Sequence, residues 1–294
     1  MRERFVALLS LTLNTDFAHD QILARLNGLF PALASKVRVV RAGGYGENGD
    51  GTPCFLAIGP NVISVHLYPG PATLETNEAL DEVCPAWFGS RANRPRAHSH
   101  VIVRSEQDIN HPAEALAAAA AVSMVAAAMI SIVQVEEIIW KTGQVSIEPQ
   151  AFQLAALRLT IPEIKVGHWL AWRSFEGPLS PQGRPSVILG SKGLAPFFGR
   201  ELETVASTLS KVEVEKRALS VTDFLILHGP PLFDDMPLYV PNHDFVRLRL
   251  RDRGVIDPNP VLLLRIEAGP VAADVLRKSQ SLPATGGFGR RALT

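Results

Sequence analysis

The chain has 294 residues, with 29 basic and 29 acidic side chains, 47% apolar residues and 7% aromatics. That length suits about two domains of roughly 150 residues each, and the composition excludes wholesale disorder. Zero formal net charge excludes a chain-wide field for nucleic acid or anionic membrane. The balance is uneven, since residues 1–150 hold 11 basic and 15 acidic groups and residues 151–294 hold 18 and 14.

Arg2 and Arg4 before an apolar stretch imitate a signal peptide. Ser10, Thr12 and Asn14-Thr15-Asp16 interrupt that stretch, no small-x-small cleavage site follows, and Phe5–Leu13 reads instead as a first strand. Thr15 or Asp16 then caps a predicted helix through about Leu33. Lys36–Val40 is strand-like, and the glycine-rich run 43–51 reads as a mobile loop. It lacks the Lys-Ser/Thr ending of a P-loop, and Glu47 and Asp50 would repel phosphate. Cys54–Ile58 and Val62–Tyr68 are predicted strands of a hairpin. A helix over about Asn77–Phe88 and a strand His98–Arg104 follow.

Ala115–Val133 carries no charge over nineteen residues, long enough for a membrane span. Its alanine content, with Ser123 and Ser131 inside, predicts a helix buried in protein, not in lipid. Glu148-Pro149 starts a short helix that Ile161-Pro162 ends. Strands are expected near His168–Ser174, Ser186–Leu189 and Glu201–Ala206, a helix over Val212–Leu227, and strands at Phe245–Arg253 and Val261–Glu267. The whole reads as an α+β protein of two mixed or antiparallel-sheet halves with helices packed on them, the alanine-rich helix lying near 113–133. The halves are placed at 1–148 and 149–269, with a flexible tail over 270–294.

Some of these residues, in this order, resemble a known family. They are Trp87, His98-Ser99-His100-Val101-Ile102-Val103, the small-residue helix, Ile138-Ile139-Trp140, His168-Trp169-Leu170-Ala171-Trp172, Gly193-Leu194, Phe198-Gly199, Glu201-x-Glu203 and Asp223-Phe224-Leu225 before Gly229-Pro230. The pattern, over residues 5–267, is similar to the uncharacterised bacterial family called domain of unknown function 4261. Lys192 stands where that family has threonine before Gly-Leu, and Phe88 or Gly89 replaces its second tryptophan. The resemblance implies no activity and no catalytic residues; it implies a loose association with toxin-immunity and secretion-associated proteins.

Four groups of residues stand out as chemistry. His98 and His100 share one face of a strand, and read either as structural histidines or as ligands or catalysts short of a third partner. Glu201 and Glu203 also share a face, and read either as a strand's solvated side or as a carboxylate pair for acid/base work. Arg247, Arg249, Arg251 and Arg253 alternate with Val246, Leu248 and Leu250, which sets guanidiniums in a row opposite an apolar face. That row reads as a solvated face or as a docking face for an acidic protein; without interleaved aromatics it makes a poor nucleic-acid platform. Cys54 and Cys84 match neither a disulfide framework nor a metal spacing.

No nucleophile-elbow, zinc-protease or P-loop motif is present. The sequence therefore leads to a cytoplasmic, non-enzymatic binding protein with a protein partner, of the immunity or secretion-chaperone kind, with no cofactor, no metal and no membrane insertion expected. The alternative is an enzyme, a metal-assisted or acid/base hydrolase, whose site draws His98, His100, Glu201 and Glu203 together.

Overall fold

Apolar side chains recur along Val6–Leu11 on both faces, and this segment forms β1, a central strand of the first sheet. The computed structural model describes residues 4–13, 15–45, 51–69, 84–85, 99–109, 111–160, 166–229, 234–238 and 246–266. Chain packing divides it into two units, Met1–Ala171 and Trp172–Thr294. The α+β class expected from the sequence is what the structure shows.

In the first unit, β2 (Phe17–Ala18) leads directly into α1 (His19–Leu29). The helix starts later than Thr15 or Asp16, and it is the Gln21 side chain that reaches back to accept the Ala18 amide at 3.0 Å. Then come β3 (Val37–Arg41), β4 (Gly44–Tyr45), β5 (Cys54–Ile58), β6 (Asn61–Pro69), β7 (Cys84–Pro85) and β8 (Ser99–Ser105). Gly44 and Tyr45, read as mobile loop, pair with β2. The rest of that loop at 46–50 lies outside the described residues, as does most of the helix expected over 77–88; Cys84–Pro85 within it is a strand beside β10.

The alanine-rich helix is α2 (Pro112–Ile130), followed by β9 (Val135–Trp140), β10 (Val145–Ile147) and α3 (Pro149–Leu157). The eight-stranded sheet runs β3-β5-β6-β8-β1-β9-β10-β7, antiparallel except for β7 with β10. Helix α2 packs on β1, β6 and β8 and is flanked by α1 and α3. It is covered on nearly every side, with Ala115, Ala119, Val122, Val125, Ala126, Ala127 and Ala128 fully buried. Small side chains let neighbouring helices approach this closely. No helix among the described residues is long and apolar enough to cross a membrane.

Glu148 caps α3 by accepting the Ala151 amide at 2.8 Å, with Pro149 in the first turn. Phe152 of α3 lies against Trp140 of β9, and Trp140 against Trp169. The division of the chain thus falls after Ala171, beyond the 148/149 boundary read from the sequence. At one end of the sheet, Glu106 accepts from the Ser64 hydroxyl and from Arg104 at 2.9 Å, with Arg4 at 3.6 Å. Partial burial raises this carboxyl, and the Ser64 and Arg104 bonds outweigh it, holding Glu106 below the usual carboxylate range. A depressed folded value contributes stability that is present above the unfolded pKa of about 4.3 and lost as pH falls through the folded one. Wild type and Glu106→Gln, compared by urea unfolding from pH 7 to 3, are expected to differ at neutrality and converge at the acid end.

The second unit holds β11 (Ala171–Gly177, its first residue at the boundary), β12 (Ser186–Lys192), α4 (Ala195–Phe198), β13 (Glu201–Thr204), α5 (Lys211–His228), β14 (Met236–Leu238), β15 (Val246–Arg251) and β16 (Val261–Ile266). Residues 167–169 form a 3-10 turn, so the strand expected from His168 starts at Ala171. The sheet order is β11-β12-β13-β16-β15-β14, with β13 parallel to β16. Ser210 and Glu213 cap α5 reciprocally, and the helix buries Val214, Ala218, Val221, Leu225 and Ile226. It packs on β12 and β16, while Val246, Leu248, Leu262 and Leu264 form the buried face of the sheet.

Candidate functional site

Strand β13 is buried along its whole length, including both glutamates. The solvated-face reading of Glu201 and Glu203 is therefore corrected, because loops cover the face that alternation assigns to water. Glu201 accepts from the Ser191 hydroxyl at 2.7 Å and from the amides of Gly193, Leu194 and Ala195 at 2.9, 3.0 and 3.1 Å. The Ser191 oxygen in turn accepts the Leu202 amide at 2.8 Å. Glu203 accepts from the amides of Val255, Ile256 and Asp257 at 2.8, 2.9 and 3.4 Å. Both oxygens of each carboxylate are engaged. These two side chains pin the β12–β13 and β15–β16 connections to the sheet, supplying acceptors to amides that water cannot reach.

Gly254 sits where an added Cβ would meet the Glu203 carboxylate, the Asp257 carbonyl and Val261. Gly254→Ala is accordingly expected to destabilise the protein by about 1–3 kcal/mol, the ordinary cost of overpacking. The check is the urea midpoint at an unchanged slope.

The arginine row falls on β15 for Arg247, Arg249 and Arg251, while Arg253 lies beyond the strand's end. Register sets Arg247 opposite Arg265, Arg249 opposite Leu263 and Arg251 opposite Val261, with Leu263 and Val261 opposite Glu203 and Glu201 in turn. Arginines and glutamates thus belong to one sheet face, away from α5: the glutamate end is roofed by loops and the Arg247–Arg249 end is half-exposed. Glu267, the last residue of the strand expected at Val261–Glu267, lies outside the described residues.

Two like charges directly opposite repel, and a nearby turn supplies counter-charge. Asp235 accepts from Arg249 at 2.9 Å and from Arg247 at 3.4 Å, and Asp234 accepts the Leu250 amide at 2.8 Å. Asp235 has a φ of 60°, a left-handed conformation that aspartate tolerates better than most residues. The Arg249 hydrogen bond holds the Asp235 carboxyl below its usual range, and the same bond raises Arg249.

His98 lies outside the described residues. His100 is on β8 in the first unit, and Glu201 and Glu203 are on β13 in the second. His100 is buried, with the Tyr68 ring stacked on it at 5.1 Å and 8°, and His66 stacked on Tyr68 at 6.2 Å. Burial, and then Arg104, hold His66 below the usual histidine range. Register carries the row across four strands: Tyr68 on β6, His100 on β8, Ser10 on β1 and Glu137 on β9. All four face away from the helices, since the intervening Val65, Val101, Val103, Ala7 and Leu9 form the buried helix side. Glu137 is buried and accepts from the Ser146 hydroxyl. Ser99, which neighbours His100 in sequence, points the other way and donates to the Leu13 carbonyl at 3.3 Å.

Sequence reading missed Ser10 and Glu137, because partners in this row are assembled by strand pairing over long separations. Burial pushes the Cys54 thiol up to about 11, which leaves it protonated and unreactive near neutrality. Among the described residues no group of three or more His, Cys, Asp or Glu is placed to hold a metal. No family model matches the chain, nor does any curated protein or solved structure.

Proposed function

We propose that the protein is a binding protein whose second unit docks an acidic protein partner on the arginine face of β15. The observation that carries this reading is the side-by-side placement of Arg247, Arg249 and Arg251, with Arg265 directly opposite the first. Guanidinium forks in such a row suit the carboxylates of a partner. The half-buried Leu263 among them offers apolar contact of the kind found at the centre of interfaces. Aromatic side chains do not interleave with the row, which favours a protein over single-stranded nucleic acid. An enzyme built on Glu201 and Glu203 is disfavoured because backbone amides already occupy their oxygens. The immunity or secretion-chaperone form of the proposal rests on the sequence resemblance alone. The cytoplasmic location rests on the sparse cysteines, which suit a reducing compartment.

The test is affinity capture from the native host with wild type and with Arg249→Glu/Arg251→Glu. A stoichiometric partner is expected, bound at least about tenfold more weakly by the double variant. Binding should also weaken as salt rises from about 50 to 300 mM, the range over which surface charges become screened. Either no stoichiometric partner, or one held equally well by the charge-reversed protein, sinks the proposal.

A further inference from the structure

The arginine face of β15 already carries carboxylates of its own chain, and their placement indicates what fits there. Strand β16 pairs with β15 along its whole length, from Val246 to Arg251. On the other side β14 reaches only Val246–Leu248, through Leu238, Pro237 and Met236. Beside Arg249–Arg251 on that side, no strand pairs with β15 among the described residues. The two residues before β14 fill the place with their side chains. Asp234 accepts the Leu250 amide at 2.8 Å, where a neighbouring strand would offer a main-chain carbonyl. Asp235 accepts from Arg249 at 2.9 Å and from Arg247 at 3.4 Å. Arg251 is left over: its guanidinium donates to the Leu250 carbonyl at 3.4 Å and meets no carboxylate among the described residues. The Asp235 pairs are half-exposed, and ion pairs so placed are weak enough for another carboxylate to replace.

We propose that Asp234 and Asp235 hold the place of a partner's carboxylates, and that the partner docks an extended segment with acidic side chains at alternate residues. The inference rests on the docking role given above to the arginine face, and it names the chemistry of the segment that docks. Successive arginines on β15 are two residues apart, about 6.4–6.8 Å along the strand. Alternate side chains of an extended segment laid beside β15 share that spacing and that facing, so each carboxylate meets one arginine. The intervening side chains fall on the side of the half-buried Leu250, where apolar or small residues fit. The Leu250 amide passes from Asp234 to a carbonyl of the segment, the main-chain contact that strand addition provides. The chain's own turn serves two of the three arginines, and a segment that also serves Arg251 displaces it.

The experiment follows the fluorescence anisotropy of a fluorescein-labelled peptide of alternating aspartate and threonine, titrated with the full-length protein at about 50 mM salt, where screening is modest. Wild type is expected to bind it, and Asp235→Asn to bind it about three- to tenfold more tightly, as follows from removing one or two exposed ion pairs that compete. Asparagine keeps the size of aspartate and tolerates the left-handed backbone of this position; melting curves check that the variant is folded. Asp252→Asn makes the same change of charge at a fully exposed residue 3.8 Å from Arg200, and is expected to leave the affinity within about twofold of wild type. A peptide with the same aspartates in one unbroken run is expected to bind wild type more weakly than the alternating one, a comparison that needs no variant. Four outcomes overturn the proposal: no binding of the alternating peptide, equal affinity of wild type and Asp235→Asn, an equal gain in Asp252→Asn, or no preference for alternate spacing. Capture of a partner that Arg249→Glu/Arg251→Glu loses, alongside any of these, would remove this inference and leave the docking role standing.

Discussion

Glu201→Ala is expected to cost about 3–5 kcal/mol of folding stability, among the largest losses a single substitution produces. The reason is the donor set around it. Three backbone amides, from Gly193, Leu194 and Ala195, and the Ser191 hydroxyl converge on this one carboxylate. Each hydrogen bond to a charged acceptor contributes about 1.5–3 kcal/mol, and each buried donor left unmet costs about 1–3 kcal/mol. The contributions overlap, since the hydroxyl can turn to another acceptor and the loop can partly open to water. Glu201→Gln keeps the shape but offers one acceptor oxygen and turns an amide group toward backbone donors, so about half the loss is expected. Urea unfolding measures both, with a lowered midpoint at constant slope. Amide exchange at 193–195 should quicken in Glu201→Gln before the rest of the unit changes. A Glu201→Ala protein within about 1 kcal/mol of wild type would show that the loop amides find other acceptors.

The failure of alternation at β13 explains why this clasp was hard to read. Glu201-Leu202-Glu203 has the pattern of a half-buried strand, and nothing local marks the loops that fold over its polar side. The available hints were distant: Ser191 near the end of β12 with Gly193 just after it, and Gly254 in the other connection. Strand pattern succeeded where side chains answer only to the sheet itself. Val246, Leu248 and Leu250 against Arg247, Arg249 and Arg251 is such a case, and β15 follows it. Helix α2 was legible for a different reason, since an uncharged stretch of nineteen residues dominated by alanine suits a helix surrounded by protein.

The β1–β9 pairing was not legible, because it joins segments separated by most of the first unit. The Ser10–His100–Glu137 row depends on that pairing and on register together. The start of α1 was misplaced for a related reason. Thr15 and Asp16 have capping chemistry, but residues 17 and 18 are drawn into a strand with Gly44 and Tyr45, and Gln21 supplies the cap one turn later.

The position of α3 and Trp169 in the first unit, beyond the boundary suggested by the sequence, leads to the second large effect. Trp169 is fully buried, and its ring nitrogen donates to the Ser123 hydroxyl of α2 at 2.8 Å. Its ring lies 6.1 Å from that of Trp140 and 4.8 Å from that of His168. The chain runs so close there that a Cβ on Gly143 would collide with the Trp169 carbonyl. Trp169→Ala removes the packing and leaves the Ser123 hydroxyl without this donor in the buried, largely apolar part of the helix, at an expected cost of about 3–5 kcal/mol. Trp169→Phe keeps an aromatic ring but loses the hydrogen bond and some volume, at about 1–3 kcal/mol. Restoring an apolar partner with Trp169→Phe/Ser123→Ala should recover part of that loss, because an unmatched hydroxyl is costlier than none. Thermal and urea unfolding of the three variants test the order Ala below Phe, with the double variant above Phe. A double variant no more stable than Trp169→Phe would mean that shape, and not the Ser123 bond, ties residues 166–170 to the alanine helix.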